Sequence, residues 1–285
     1  MDQIEQNTLR EFIQLALRED VGDGDHTSLS TIPIKAVGKA HLLIKEKGIL
    51  AGLQVGIAVF KQVDSALQIN TFFKDGEQVN PGDIILEVSG NVHSILLAER
   101  LVLNIMQRMS GIATVTNQVV QALAETHAKV LDTRKTTPGL RFLEKEAVRI
   151  GGGTNHRFGL YDMILIKDNH VDFAGGIKNA LNAANKYREN LSKKIDIEIE
   201  VRNIAELKEV LAHGEVERIL LDNFEIDILK EAVKLIDKRF ITEASGGITF
   251  ANAFEYASTG VDFISMGALT HSVKSLDISL KSVSK

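Results

Sequence analysis

The sequence contains no cysteine, which excludes a disulfide framework, a cysteine nucleophile, a thiolate zinc site and an iron–sulfur cluster. It also lacks tryptophan, its aromatic content is 5%, and its net charge is −5, so nucleic-acid binding is not expected. No apolar run approaches the roughly 18 residues that a membrane helix needs. The first residues, MDQIEQNTLREF, lack the basic start and apolar core of a signal peptide. These absences predict a soluble, cytoplasmic protein with no nucleic-acid or membrane partner.

The composition is otherwise that of an ordinary globular chain, with 44% hydrophobic and 25% charged residues. A length of 285 residues is enough for a sizeable core and predicts one large domain or two modest ones. The spacing of apolar residues predicts a helix from about Leu9 to Arg18. The acidic, glycine-rich segment 19–26 lacks the frame of a calcium-binding EF-hand loop, and we interpret it as a solvated turn.

A strand-like pattern runs from Gly38 to Val92 and is interrupted by glycine-containing turns. Within it, the string DGEQVNPGDIILEVSG resembles the barrel-sandwich hairpins of biotinyl- and lipoyl-carrier domains. Those carriers display a lysine at a tight hairpin tip, and no lysine stands in the matching place here. We therefore expect a reused scaffold, with a carrier or binding module as the alternative.

A long, largely apolar helix is predicted over residues 94–125, and the pair Ser110–Gly111 is a point where it could break. On this helix Arg100, Asn104 and Gln107 share one face. Such a polar stripe is either the solvated edge of a packed helix or a surface that faces a ligand or another subunit. The spacing alone leaves both interpretations open.

From residue 129 onward, short apolar runs alternate with helical stretches. The runs are KVLDTRK, MILIKDNH, DIEIEVRN, RILLDNF, FITEASGG and DFISMGAL. Strands that alternate with helices form parallel sheets, and a complete barrel of this kind needs eight such units. We therefore predict an α/β fold in which an open, incomplete α/β barrel follows an N-terminal α/β sandwich domain. One intervening helix is predicted at 138–150, with Thr137 as its N-cap, Pro138 in its first turn and Gly151 after its end.

The active site of a barrel enzyme lies at the carboxyl ends of the strands. Cations that suit carboxylates or phosphates lie after the first two strands and in the loop before the second strand. They are Arg134 and Lys135 after the first strand, Arg157 in the loop, and Lys167 after the second strand. Carboxylates that suit Mg²⁺ occur on the third and fourth strands: Glu198, Glu200 and Asp222. Glycine-containing loops that let backbone amides approach a phosphate follow the last two strands: Ser245–Gly247 and Ser265–Ala268. The set predicts a site for a phosphorylated sugar, Mg²⁺ and an anionic second substrate.

Each of these features also has a purely structural explanation. The cations could form a solvated, salt-bridged rim, a carboxylate at a strand end can cap a helix, and glycine after a strand is often only a turn. His156 and His170 could transfer a proton, form hydrogen bonds or stabilise the fold. A zinc site is not expected, because no set of histidines and carboxylates has a ligand spacing. The joint occurrence at one end of the barrel favours a ligand site.

The chain resembles the quinolinate phosphoribosyltransferase family in the segment LDTRKTTPGLRFLEKEAVRIGGGTNHRFGLYDMILIKDNH, in AERLVLN before it, and in LLDNF, EASGGIT and SMGALTHS after it. The resemblance implies an enzyme of NAD biosynthesis that makes nicotinate mononucleotide, CO₂ and pyrophosphate from quinolinate and phosphoribosyl pyrophosphate with Mg²⁺. It also implies a homodimer, sometimes assembled into a hexamer. We expect a sandwich domain at 1–115, a barrel at 116–270, and packing of 271–285 on the sandwich domain.

The resemblance also implies roles for individual residues. Binding of the substrate anions is implied for Thr133, Arg134, Lys135, His156, Arg157, Lys167 and His170. Arg100 is expected to reach into the active site of the neighbouring subunit. Glu200 and Asp222 are the implied ligands of the ribose and of Mg²⁺–pyrophosphate, and with Lys135 they are the expected catalytic residues. The 5′-phosphate is expected on two loops, formed by Ser245, Gly246 and Gly247 and by Met266, Gly267 and Ala268.

Relatives on the same scaffold act on other bases and provide the main alternative. Nicotinate-specific enzymes share the barrel, and a molybdenum-transport-associated relative shares the motifs TRKTTPGLR and HR. The segment YDMILIKDNH, which places Lys167 to meet a second carboxylate, favours quinolinate over both. An inactive regulatory homologue is not expected, because every charged site residue that the resemblance implies is present in this sequence.

Overall fold

The computed structural model describes residues 3–283, which form two compact units. The first unit comprises the described residues of Met1–Val115 and Val273–Lys285, and the second is Thr116–Ser272. The elements as far as residue 122 are α1 (Gln3–Val21), α2 (His26–Thr31), β1 (Val37–Ile44), β2 (Gly48–Ile49), α3 (Leu53–Val63), β3 (Gln68–Thr71), β4 (Gln78–Val79), β5 (Ile84–Asn91) and α4 (Val92–Ala122). The later elements are β6 (Lys129–Leu131), α5 (Arg141–Ile150), β7 (Met163–Ile166), α6 (Asp168–Ala174), α7 (Ile177–Glu189), β8 (Asp196–Val201), α8 (Ile204–His213), β9 (Arg218–Asp222), α9 (Ile226–Ile236), β10 (Ile241–Ser245), α10 (Ala253–Ala257), β11 (Phe263–Ser265), α11 (Ala268–His271) and β12 (Ile278–Ser282).

The first unit is built on a four-stranded antiparallel sheet in the order β12-β1-β5-β3, with a separate ribbon of β2 and β4. The last strand, β12, lies in the segment 271–285 and pairs with β1, Ile278 opposite Ile44. On β1, Ala40, Leu42 and Ile44 are buried and alternate with more exposed residues, as expected for a strand with one face in a core. Asp25 accepts the N–H of Ser28 at 3.0 Å, so the acidic segment 19–26 also supplies the cap of α2.

The prediction of strand throughout Gly38–Val92 is wrong at α3. Its apolar residues are largely valine, alanine, isoleucine and phenylalanine, and β-branched residues favour strands when only local preference is considered. The buried side chains nevertheless follow a helical spacing, with Val55, Val59 and Phe60 on the inner face. The helix begins where Asp75, distant in sequence, accepts the N–H of Leu53 at 2.9 Å.

The helix α4 runs without interruption through Ser110–Gly111, so the break considered there does not occur. The hydroxyl of Ser110 accepts the N–H of Ala51 at 2.9 Å and donates to the carbonyl of the same residue at 3.1 Å. A side chain at Gly111 would collide with the carbonyl of Lys274. The small residues in this helix therefore permit close packing within the first unit and do not mark a helix end.

The second unit contains six parallel strands in the order β6-β11-β10-β9-β8-β7. All six apolar runs identified in the sequence form these strands, and helices connect them. The strands β6 and β7 are the two edges of the sheet, which makes the barrel open. The predicted fold, an open α/β barrel with a separate N-terminal sheet domain, is confirmed. None of the helices in residues 3–283 is both long and apolar enough to cross a membrane.

The helix predicted at 138–150 begins later, at Arg141. Residues 137–140 instead form a tight turn, in which the N–H of Leu140 donates to the carbonyl of Thr137 at 3.0 Å. Pro138 and Gly139 are the central residues of this turn, and the positive φ of Gly139, 80°, is incompatible with a right-handed helix. The predicted end at Gly151 is confirmed.

Candidate active site

A cavity of about 860 Å³ opens at the carboxyl ends of the strands in the second unit. The strand ends and the loops after them supply nearly all of its wall, which is the usual position of a barrel active site. The lining residues are Thr133, Arg134, Lys135, His156, Arg157, Leu165, Lys167, Leu220, Asp222, Asn223, Glu243, Ser245, Gly246, Gly247, Ile248, Thr249, Ser265, Gly267, Ala268 and His271.

A buried ion pair holds the two loops that carry the cations. Asp132, directly after β6, is fully buried and contacts the ammonium group of Lys145 on α5. Burial raises the pKa of Asp132 and lowers that of Lys145, and the attraction between the two charges opposes both shifts. Asp132 also accepts the N–H of His156 at 2.8 Å, and Lys145 donates to the carbonyl of that residue at 3.0 Å. The loop after β6 is thereby joined to the loop that carries Arg157.

Two guanidinium groups lie in the cavity wall. Arg157 is largely buried and donates through Nη1 to the carbonyl of Met163 at 3.3 Å. Burial, and next the positive charge of Arg134, lower the pKa of Arg157. Two neighbouring guanidinium groups repel each other, and an anion placed between them removes that repulsion while it accepts their hydrogen bonds. This part of the cavity is suited to a ligand with more than one negative charge.

On the opposite strands, the carboxylates of Glu200 and Asp222 form an acidic region. Glu200 accepts a hydrogen bond from Lys167 Nζ at 2.8 Å. Burial raises the pKa of Asp222, and the negative charge of Glu200 raises it further. Two neighbouring carboxylates form a donor set that fits a Mg²⁺ ion, because a cation relieves their repulsion and hard oxygen ligands are those that Mg²⁺ prefers.

Asn223 connects this acidic region to the glycine-rich loop after β10. Its backbone is left-handed, with φ of 55°, and its amide donates to Asp222 Oδ2 at 2.5 Å. Gly246 also has a positive φ, 93°, and a side chain there would collide with the amide of Asn223. Gly247 follows with φ of 61° and open space around its Cα. The backbone itself therefore lines the cavity at this loop, as a phosphate cradle requires.

Most of the residues proposed from the sequence line this one cavity. Five do not: His170, Glu198, Glu200, Met266 and Arg100. His170 accepts the N–H of Lys167 at 2.9 Å through Nδ1 at the start of α6, and Met266 is a buried residue whose N–H donates to Leu131. Glu200 contacts the cavity residue Lys167, as described above. Arg100 lies on α4 in the other unit.

Several lining residues were not among the sequence-based candidates: Leu165, Leu220, Glu243, Ile248, Thr249 and His271. The clearest omission is Glu243, which lies two positions before Ser245 on β10 and therefore on the same face of the strand. This period of two is a sequence signal that could have identified it. His271 has no such signal, because a short helix, α11, brings it to the cavity.

Beneath the cavity, four side chains form a buried polar cluster, here called the floor cluster: His156, Glu198, Arg218 and Glu243. His156 Nε2 lies 3.0 Å from Glu198 Oε2 and 3.4 Å from Glu243 Oε2, and neither contact has the linear geometry of a good hydrogen bond. Arg218 Nη1 donates to Glu243 Oε2 at 2.9 Å. On the other side of the ring, His156 Nδ1 accepts the N–H of Arg157 at 2.7 Å.

The charges of the floor cluster affect one another. Burial lowers the pKa of His156, but the contacts with Glu198 and Glu243 outweigh burial and raise it to about 9. Burial, and next the charge of Glu243, raise the pKa of Glu198 to about 7. For Glu243, burial acts upward, but His156 and Arg218 outweigh it and lower the pKa. The raised pKa of His156 favours a doubly protonated ring, whereas the hydrogen bond from the Arg157 N–H requires Nδ1 without a proton. Because the Arg157 N and His156 Nδ1 lie only 2.7 Å apart, we assign the neutral ring with its proton on Nε2.

Three members of the floor cluster, His156, Glu198 and Glu243, place possible metal-ligand atoms within 4.8 Å of one another. The ring chemistry does not fit a metal ion. A neutral imidazole has one lone pair, and here it accepts the N–H of Arg157 at Nδ1. The proton is then on Nε2, the nitrogen that would have to bind the metal. We therefore interpret the cluster as a network of polar and charged contacts and not as a metal centre.

The fold and the site together define a class of protein: a barrel enzyme that binds anionic, phosphate-bearing small molecules at the carboxyl ends of its strands. A family model for the quinolinate phosphoribosyl transferase C-terminal domain matches residues 112–281, and one for the N-terminal domain of the same family matches residues 25–110. The chain belongs to the quinolinate phosphoribosyltransferase family.

Individual relatives agree with this assignment. The chain is 49% identical to the quinolinate phosphoribosyltransferase [decarboxylating] 1b of Nicotiana tabacum, over 96% of this chain and 82% of that protein. It is 48% identical to the chloroplastic nicotinate-nucleotide pyrophosphorylase [carboxylating] of Arabidopsis thaliana, over 96% of this chain and 82% of that protein. The crystal structure of NadC from Streptococcus pyogenes is similar with a TM-score of 0.91 and 40% identity, over 97% of both chains.

Proposed function

We propose that this chain transfers the phosphoribosyl group of phosphoribosyl pyrophosphate to quinolinate with decarboxylation, giving nicotinate mononucleotide, CO₂ and pyrophosphate for NAD biosynthesis. One observation carries the proposal. A single cavity joins a wall of cations, suited to a dicarboxylate, to the carboxylate of Asp222 and a glycine-rich loop, suited to a phosphorylated sugar. The names of relatives at 48–49% identity support the same reaction.

In this assignment the cationic wall binds quinolinate. Arg134 and Arg157 hold one carboxylate in the bidentate manner that guanidinium groups favour, and Lys167 holds the second. Lys135 and Thr133 complete this side of the cavity, and His156 lies in its floor. Lys167 is the residue that separates quinolinate from nicotinate, because only a dicarboxylate offers it a partner that can replace Glu200. His170 contributes through the backbone of Lys167, whose N–H it accepts.

The other side of the cavity binds the phosphoribosyl group. The loops Ser245–Gly247 and Met266–Ala268 receive the 5′-phosphate, because glycine allows the backbone to approach it closely. Glu200 and Asp222 lie near the ribose and would hold Mg²⁺. When bound there, Mg²⁺ would neutralise the charge of the pyrophosphate leaving group.

The reaction depends on positioning and electrostatics more than on proton transfer. The pyridine nitrogen of quinolinate bonds to C1 of the ribose as the bond from C1 to the pyrophosphate oxygen breaks. Glu200 and Asp222 stabilise the positive charge that develops on the ribose, and Lys135 stabilises the negative charge of the departing group. The ring nitrogen, now cationic, accepts the electron pair released when the adjacent carboxylate leaves as CO₂, and a proton takes its place on that carbon. The cations align the two anionic substrates, which is a proximity effect.

We further propose that the enzyme is a cytoplasmic homodimer, with a hexamer as the larger alternative, and that Arg100 enters the active site of the neighbouring subunit. The exposed position of Arg100 on α4 supports this role. Light scattering on the purified protein measures the subunit number, and subcellular fractionation tests the location.

The reaction is tested by incubating the purified chain with Mg²⁺, phosphoribosyl pyrophosphate and quinolinate, and measuring nicotinate mononucleotide together with CO₂. A parallel incubation contains nicotinate in place of quinolinate. Product from quinolinate alone is the expected result. Turnover of nicotinate alone, or of neither base, would contradict the substrate assignment.

A further inference from the structure

The interior of this barrel contains buried charges where aliphatic side chains are usual. Glu198 on β8 and Glu243 on β10 are at most 1% exposed. Each lies two positions before a residue proposed to contact substrate, Glu200 and Ser245 respectively, so the carboxylates form a layer directly below the site. Buried carboxylates need compensating charge, and in the floor cluster Arg218 donates to Glu243 while the ring of His156 lies against both glutamates.

His156 has both of its ring nitrogens engaged within the protein. Nε2 faces Glu198 and Glu243, and Nδ1 accepts the N–H of Arg157. The ring lines the cavity but has no nitrogen left to bind a ligand or to move a proton.

The backbone of His156 is held as firmly as its ring. Its N–H donates to Asp132 at 2.8 Å, and its carbonyl accepts from Lys145 at 3.0 Å. The next peptide N–H, that of Arg157, donates to the ring. The orientation of the chain at Arg157 therefore depends on the ring of His156, and the orientation of the ring depends on the two glutamates below it.

We propose that His156 is a positioning residue and not a substrate ligand, and that Glu243 positions it from below. In this arrangement Glu243, fixed by Arg218, holds the ring as the neutral Nε2–H tautomer, and the ring fixes the backbone from which the Arg157 guanidinium enters the cavity. The assignment of Arg157 to a quinolinate carboxylate rests on the proposed function, whereas the tautomer of His156 does not.

The first test examines the ring without any substrate. In protein labelled with ¹⁵N-histidine, the signals of His156 are identified by their loss in His156→Asn. At neutral pH we expect one protonated and one unprotonated ring nitrogen, the protonated one being Nε2. Two protonated nitrogens, or a proton on Nδ1, would overturn the proposal whatever the enzyme's substrate is.

The second test separates positioning from general stability. Glu243→Gln keeps the size of the side chain and can still accept a hydrogen bond, but it removes the charge that holds Arg218 and His156. Glu217→Gln is the matched control, because Glu217 accepts from Arg188 at 2.8 Å in the same barrel and does not line the cavity. Both variants are compared with the unchanged chain by thermal melting and by calorimetric binding of quinolinate and of phosphoribosyl pyrophosphate.

We expect Glu243→Gln to raise the Kd of quinolinate about tenfold and to leave that of phosphoribosyl pyrophosphate within about twofold, since only the Arg157 side of the cavity is displaced. Glu217→Gln should change neither Kd. Unchanged quinolinate binding in folded Glu243→Gln, or an equal loss for both ligands, would contradict the proposal. If Glu243→Gln does not fold, the histidine spectrum of the unchanged chain still tests the proposed tautomer of His156. Failure of the unchanged chain to bind quinolinate would reject the proposed function and leave the tautomer result standing.

Discussion

Arg134, Arg157 and Lys167 carry the same charge but stand in different surroundings. The pKa of Arg157 is lowered by burial and by the neighbouring Arg134, whereas Lys167 is paired with Glu200. An incoming anion relieves repulsion at the two arginines, but at Lys167 it must replace a carboxylate already present. The energy that each cation contributes to binding is therefore set by its neighbours as much as by its own charge.

At this scale we expect Arg134→Ala or Lys167→Ala to lower kcat/KM for quinolinate by about 10²–10³, or ~3–4 kcal/mol, because each removes one preorganised electrostatic contact. The measurement is steady-state kinetics with quinolinate varied. Lys230→Ala is the control, since Lys230 pairs with Asp227, three residues before it on α9, away from the cavity, and should leave kcat/KM unchanged. Unchanged kinetics in either of the first two variants would remove that residue from the site.

A second residue-scale prediction concerns Gly246. Gly246→Ala introduces a side chain that collides with the amide of Asn223, which itself contacts Asp222. Gly82→Ala is a matched control, because its φ of 97° is close to the 93° of Gly246 but it has open space around it. The left-handed backbone should cost both variants about 1–2 kcal/mol in chemical denaturation, and the collision should make the loss larger in Gly246→Ala.

Only Gly246→Ala should also weaken the binding of phosphoribosyl pyrophosphate. We expect its Kd to rise about tenfold or more, because the collision displaces the loop and Asn223 together. Calorimetric titration of both variants measures this. Equal affinity in Gly246→Ala and Gly82→Ala would contradict the role of the loop as a phosphate cradle.

At the scale of elements, the sequence predicts strands of the barrel better than it predicts helix boundaries. Most of the barrel strands are short, largely apolar runs, and such runs are distinctive because helices separate them. The helix α3 was missed because its valines and isoleucine also suit a strand, and its start depends on the distant Asp75. The start of α5 was placed too early because Pro138 fits a helix start as well as the turn that it forms with Gly139.

One of the buried charges of helix α5 contacts the barrel residue Asp132, and this leads to a stability prediction. Lys145→Met leaves the fully buried Asp132 without its cation and should lower the free energy of unfolding by about 3–5 kcal/mol. Arg149→Met, on the same helix, removes an exposed contact with Glu146 and should cost less than about 0.5 kcal/mol. Urea denaturation of both variants measures the difference, and a similar small effect from both would show that the buried pair does not hold the helix.

At the scale of the whole molecule, the proposed role of Arg100 can be tested by mixing inactive variants. If Arg100 serves the neighbouring subunit, a mixed dimer of Arg100→Ala and Lys167→Ala contains one site with both defects and one with neither. Co-expression should then restore about a quarter of the activity of the unchanged enzyme, since about half of the dimers are mixed. The control is a mixture of Lys167→Ala with Arg134→Ala, which should stay inactive because both residues serve their own subunit's site. No recovery in the first mixture would place Arg100 outside the neighbouring site.

The sequence by itself determined the alternation of strands and helices, the set of charged residues at the strand ends and the family, because periodicity and residue chemistry can be recognised locally. It did not reveal that Glu243 lines the cavity, that Glu200 is paired with Lys167, or that both ring nitrogens of His156 face the protein. Only the tertiary structure decided these points, because they depend on strand register and on contacts between segments far apart in the chain. Side chains of the same type thus differ in role according to the layer of the barrel in which the fold places them.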